Sequence, residues 1–193
     1  MAPIRAFVAV DVGETVRERA AAWCRHLAAT GPDYRWVQPE NYHVTLKFLG
    51  AVEPAVLSRV EPVLGQTAAA VRPFELRFQG LGCFPGWTNP RVLWVGVAEG
   101  QSELALLARA VDRGLSALGF APEERPFRGH LTVARQRSDR GLADLRDAAQ
   151  AIGPDAPAGT HLVTAVLLLE SKLSPAGPAY SVRGRYALGG VCG

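Results

Sequence analysis

Lysine is nearly missing from this chain: Lys47 and Lys172 are the only two among 193 residues, and arginine supplies the other 19 of the 21 basic side chains. Arginine's planar fork suits phosphate recognition, although abundant alanine, glycine and proline point equally to a general compositional bias. A formal charge of +3 is too small to argue for non-specific nucleic-acid binding and only mildly favours anionic ligands. Cysteine is also scarce. Cys24, Cys83 and Cys192 are far apart and lack C-x-x-C or Cys/His spacing, which speaks against a disulfide framework or a zinc site and leaves reduced, structural thiols.

Long apolar runs are absent too. The longest, Leu162 to Leu169, suits a buried strand and falls well short of the ~20 residues of a membrane-spanning helix. Met1-Ala2-Pro3-Ile4-Arg5 leads directly into Ala6-Phe7-Val8-Ala9-Val10, without the charged region, apolar stretch and cleavage site of a secretory signal. The expectation is a cytoplasmic protein with no membrane partner. There is no H-E-x-x-H, no clustering of carboxylates with histidine and no G-x-x-x-x-G-K-[ST]. Neither a metal hydrolase nor a Walker-type site is indicated, and no cofactor is expected.

What is present is a globular composition, 48% hydrophobic, sufficient for one compact domain over residues 1–193. Arg5–Asp11 reads as a strand, and Val16, Ala20, Trp23 and Leu27 then mark one helical face. Tyr42–Leu49 alternates as a second strand, Leu57, Val60 and Leu64 define a second helix, and Phe74–Phe78 is a third strand. The order recurs in the second half. Arg91–Val97 is a strand, Leu104, Leu107, Val111, Leu115 and Leu118 trace a helix, and His130–Arg135 is a strand. A helix through Leu142, Leu145 and Ile152 and a strand over Leu162–Leu169 complete it, with Tyr180–Leu188 as a last strand after the turn chemistry of Ser174–Pro178. The fold class expected is α+β: two βαβαβ units, lobes of about 1–80 and 91–188, related by a pseudo-two-fold axis. Largely antiparallel sheets would enclose a central cleft, with helices outside and Gly80–Pro90 as the crossover.

His43-Val44-Thr45 and His130-Leu131-Thr132 occupy equivalent places in the two halves of a chain holding four histidines. Side chains alternate along a strand, so each His shares a face with its Thr while Val44, Leu46, Leu131 and Val133 face the core. One such triplet is most simply a structural histidine beside a strand-forming threonine. Two in matched contexts point to a pair: imidazoles near their ordinary pKa can give and take a proton on either side of a reacting phosphorus. The threonine hydroxyls can steady the phosphoryl oxygens as charge develops. Lys47 continues the His43 face and suits either an anion or solvent. Arg135, five residues after His130, points away from the cleft unless the strand bulges. Tyr42, Phe48, Trp36 and Trp87 could stack on a base, with core packing the simpler role for each.

At these residues the sequence resembles the two-histidine (2H) phosphoesterase superfamily, in its LigT-like, or ThpR, branch of RNA 2′,3′-cyclic phosphodiesterases. The likeness spans nearly the whole chain. It rests on Arg5-Ala-Phe-Val-Ala9, Asn41-Tyr-His-Val-Thr-Leu-Lys-Phe-Leu-Gly50, Arg125-Pro-Phe127, His130-Leu-Thr-Val-Ala-Arg135 and Gly177-Pro-Ala-Tyr180. Gly129 departs from the family's frequent proline before the second histidine. The resemblance implies metal-independent opening of a 2′,3′-cyclic phosphate on RNA to a 2′-phosphate, with His43 as proton donor, His130 as proton acceptor, and Thr45, Thr132 and Arg135 binding substrate. RNA ends bearing the cyclic phosphate, tRNA halves among them, would be the partners of a monomeric enzyme, and some relatives also join such halves through a 2′,5′ linkage. The alternatives left open are a different cyclic phosphate or a non-catalytic module that binds RNA ends.

Overall fold

Apolar residues recurring at three and four positions fold as expected. A computed structural model, describing residues 2–174 and 177–189, places Val16, Ala20 and Leu27 of helix α1 (Glu14–Ala28) in the core. Leu57, Val60 and Leu64 of α2 (Pro54–Ala69) and Leu104, Leu107, Val111 and Leu115 of α3 (Gln101–Ser116) join them, as does Leu145 of α4 (Leu142–Ile152). Each such leucine stabilises the fold by roughly 2 kcal/mol through water removed from its surface.

Nine strands form one curled sheet: β1 (Ile4–Val10), β2 (Tyr34–Trp36), β3 (Val44–Val52), β4 (Phe74–Gly86), β5 (Asn89–Glu99), β6 (His130–Gln136), β7 (Pro157–Val163), β8 (Ala165–Ser174) and β9 (Gly177–Ala187). Among the described residues every pairing is antiparallel. The spatial order is β7-β4-β5-β6-β3-β1-β8-β9, with β2 added beside β6. This order is symmetric about its middle: β3 and β6 meet there, flanked by β1 and β5, then by β8 and β4. The third strand of each half therefore completes the sheet of the other half. The α+β class with duplicated units and helices backing an antiparallel sheet stands.

Two readings of the sequence are corrected. The apolar run Leu162–Leu169 is not one strand. It breaks at Thr164, with Leu162 and Val163 in β7 beside β4 and the remainder in β8 beside β1. Hydrophobicity cannot register a chain that leaves one edge of a sheet and enters the far side. Gly80–Pro90 connects the two halves not as a loop but as the closed end of the β4–β5 hairpin. Two of its three glycines serve close contact: a Cβ on Gly82 would stand 2.1 Å from the Trp94 ring, and one on Gly80 would strike the Pro154 carbonyl. The Ser174–Pro178 turn lies partly, and Cys192 wholly, outside the described residues. Cys24 and Cys83 are free and buried, and burial pushes both thiols up to about 11, as suits structural cysteines.

The sheet's two faces divide the labour. Even-numbered Ala6, Val8 and Val10 of β1 pack with the helices in the main core, while Phe7 and Ala9 join Leu167, Leu169 and Tyr180 in a small cluster on the opposite face. That second face carries the cleft.

Candidate active site

Both predicted histidines lie on the cleft face, at or just before the start of the two central strands, and the structure holds them alike. His43 Nδ1 is 2.7 Å from the carbonyl of Asn41, and His130 Nδ1 is 2.8 Å from the carbonyl of Arg128. A carbonyl can only accept, so each Nδ1 carries the proton and each Nε2 is the free basic atom. His43 Nε2 stands 3.0 Å from Thr45 Oγ1, the hydroxyl two residues on. His43, Thr45, His130, Thr132 and Arg135 line one cavity of about 290 Å³, together with Arg125, Pro126 and Phe127 of the preceding loop. All five site residues expected from the sequence are thus gathered.

Aromatic rings fix both imidazoles. Tyr180 meets His43 edge-on, with centroids 5.3 Å apart, and Phe7 lies 4.8 Å away; Phe84 meets His130 edge-on at 5.1 Å. The role of Tyr180 depends on Asn41, whose side-chain amide donates to the Pro178 carbonyl at 3.0 Å and accepts from the Tyr180 N–H at 3.4 Å. Burial, reinforced by the Arg135 charge and opposed by the Asn41 hydrogen bond, holds the His43 pKa below its ordinary 6.5. Burial lowers His130 in the same way, again with Arg135 assisting and its own carbonyl contact opposing.

Arg135 reaches the cleft by a bulge. Leu93 pairs with Ala134 but Trp94 with Thr132, so Val133 is an extra residue and the alternation flips beyond it. The same device occurs in β3, where Ala9 pairs with Thr45 and Val8 with Lys47, skipping Leu46. Its consequence corrects two readings. Lys47 turns into the protein, 3% exposed, its Nζ donating to Asp112 and, at 2.8 Å, to the Ala121 carbonyl. It is not solvated, and it ties the 117–129 segment to the sheet. Phe48 turns outward, 65% exposed, on the cleft wall. Tyr42 is buried, its hydroxyl 3.3 Å from Cys24 Sγ, so core packing holds for it and not for Phe48. Two strictly local signals, a strand and its period, contain no sign of a bulge.

Comparison with known proteins identifies the family and the fold. The model of the LigT-like phosphoesterase family matches twice in tandem, at residues 10–94 and 95–180, one copy for each half of the chain. The chain is 37% identical to the RNA 2′,3′-cyclic phosphodiesterase of Methanothermobacter thermautotrophicus over 180 residues, covering 92% of this chain and 95% of that one. It is 34% identical to the enzyme of the same name from Aquifex aeolicus, covering 98% and 100% respectively. Among solved structures, E. coli LigT complexed with 3′-AMP superposes with a TM-score of 0.75 at 26% identity, covering 96% of this chain and 98% of that one. With two family-model matches end to end and relatives aligned along nearly their whole length, the chain belongs to the LigT-like phosphoesterase family.

Proposed function

We propose that this protein hydrolyses the terminal 2′,3′-cyclic phosphate of RNA to a 2′-phosphate by acid and base catalysis from His43 and His130, without a metal. The observation that carries the reading is the matched pair of imidazoles, each with Nδ1 tied to the carbonyl two residues back and Nε2 as the basic atom, that of His43 beside Thr45 Oγ1. In the forward reaction His130 Nε2 takes a proton from water as its oxygen bonds to phosphorus. The bond from phosphorus to the 3′ oxygen breaks, and His43 Nε2–H protonates that oxygen. The products are a 2′-phosphate and a 3′-hydroxyl, and the two histidines exchange protons with solvent to reset. Thr45, Thr132 and Arg135 bind the non-bridging oxygens, on which charge builds. The activity in the relatives' names supports the substrate.

His130 also borders a second cavity of about 250 Å³, whose wall includes Phe84, Trp94 and Gln101. Trp94 Nε1 and Gln101 Oε1 are buried there without partners among the described residues. A 5′-hydroxyl RNA end entering on this side in place of water would be joined through a 2′,5′ linkage when the 3′ oxygen leaves, a ligation that shares the forward chemistry.

Two outcomes are expected. Thr45→Val and Thr132→Val, which keep shape and remove the hydroxyl, should each lower kcat about 10²-fold with little change in KM; steady-state kinetics showing only a KM effect would assign the hydroxyls to ground-state binding. The pH profile of kcat/KM should be bell-shaped with its maximum below 6.5, because both free-enzyme histidines are lowered from that value. The kcat profile should lie at higher pH, since a bound phosphate anion favours imidazolium. For stability the sign is the same: the unfolded chain takes up these protons near 6.5 and the folded one resists them, so stability falls as pH drops through the lowered values.

A further inference from the structure

Beside the catalytic cleft lies a larger cavity, about 410 Å³, that shares Val37, Phe48, Arg135 and Tyr180 with it, so the two adjoin. Arginines reach it from three strands: Arg5 of β1, Arg35 of β2 and Arg135 of β6. Arg35 is directly opposite Arg135 in the antiparallel β2–β6 pair, which puts both side chains on one face, where like charges repel unless something negative lies between them. Among the described residues none of the three forms an ion pair, whereas Arg17, Arg77 and Arg183 are matched with Asp11, Glu99 and Glu170. Three unneutralised guanidiniums converging on one concave space make an anion site.

Arg135 belongs to the reacting phosphate. Arg5 is anchored four residues along β1 from Ala9, the partner of Thr45, a displacement of about 13 Å at strand rise, and so serves a different group. Phe48 stands between the two cavities with its ring exposed, suited to stack beneath a base. We infer that Arg5 and Arg35 hold the first internucleotide phosphate upstream of the cyclic end, and that Phe48 carries the terminal base. This rests on the proposed function and narrows it: the substrate is an oligoribonucleotide end, and a nucleoside cyclic phosphate lacks the group these arginines bind.

The test compares kcat/KM for a nucleoside 2′,3′-cyclic phosphate, a dinucleotide ending in the same group, and that dinucleotide with an uncharged methylphosphonate linkage. The wild type should favour the charged over the uncharged dinucleotide by about tenfold, the scale of one charge-assisted hydrogen bond. In Arg35→Ala the ratio should fall, and in Arg5→Ala/Arg35→Ala it should approach one; both positions are on the cleft surface, and thermal melting verifies the fold. A wild type indifferent to the linkage charge, or a ratio that persists in the double variant, overturns the inference while turnover of all three compounds leaves the phosphodiesterase reading standing. A wild type that opens none of the three overturns both.

Discussion

Replacing His43 or His130 with alanine should lower kcat/KM for an RNA cyclic-phosphate end by about 10²–10⁴-fold, the usual loss when a positioned proton carrier is removed. Removing both should cost little more than the worse single change, because an acid and a base acting in one displacement fail as a unit. Neither substitution should unfold the protein. Each imidazole's hydrogen bonds with protein groups run to a carbonyl of its own strand entry and, for His43, to Thr45, not into the helix-backed core. Steady-state kinetics on folded variants checks this, and a single variant within tenfold of wild type would remove that histidine from the mechanism.

The second large effect is on stability. Lys47 is the one buried polar or charged residue among the described residues, its ammonium held by Asp112 of α3 and by the Ala121 carbonyl, with Glu123 at 3.8 Å. Lys47→Ala would leave Asp112, already 20% exposed at the side chain, without its counter-charge, and breaking such a pair costs about 3–5 kcal/mol. For a domain of this size that lowers Tm by roughly 6–20 °C. Because Ala121 and Glu123 precede the Arg125–Phe127 stretch that lines the cleft, activity should fall as well. Lys47→Met with Asp112→Leu should restore much of the stability, since apolar replacement of a buried pair is frequently neutral. Calorimetry showing no loss in Lys47→Ala would refute the bracing role.

The reach of sequence reasoning here follows from what is local. Helical faces were legible because Leu104, Leu107, Val111 and Leu115 all bury on one stripe. The histidine pair was legible because duplication repeats it at matched positions, and the family model's two tandem matches reflect the same duplication. Alternation failed where β3 and β6 bulge one residue past each threonine. The β3 bulge buries Lys47 and exposes Phe48, and the β6 bulge swings Arg135 into the cleft. Strand exchange between the halves was equally hidden, because the composition of β4 and β8 does not say that β4 lies between β5 and the distant β7, or that β8 lies beside the distant β1. Arg5 was legible only as part of the Arg5-Ala-Phe-Val-Ala9 stretch and Arg35 not at all; only the pairing of β2 with β6 sets Arg35 against Arg135.

The most direct measurement is to incubate the protein with a short RNA ending in a 2′,3′-cyclic phosphate, with EDTA present, and to identify the product. Formation of a 2′-phosphate, lost in His43→Ala and in His130→Ala, is the expected result. A 3′-phosphate, a requirement for a divalent metal, or turnover that survives either substitution would contradict the two-histidine mechanism.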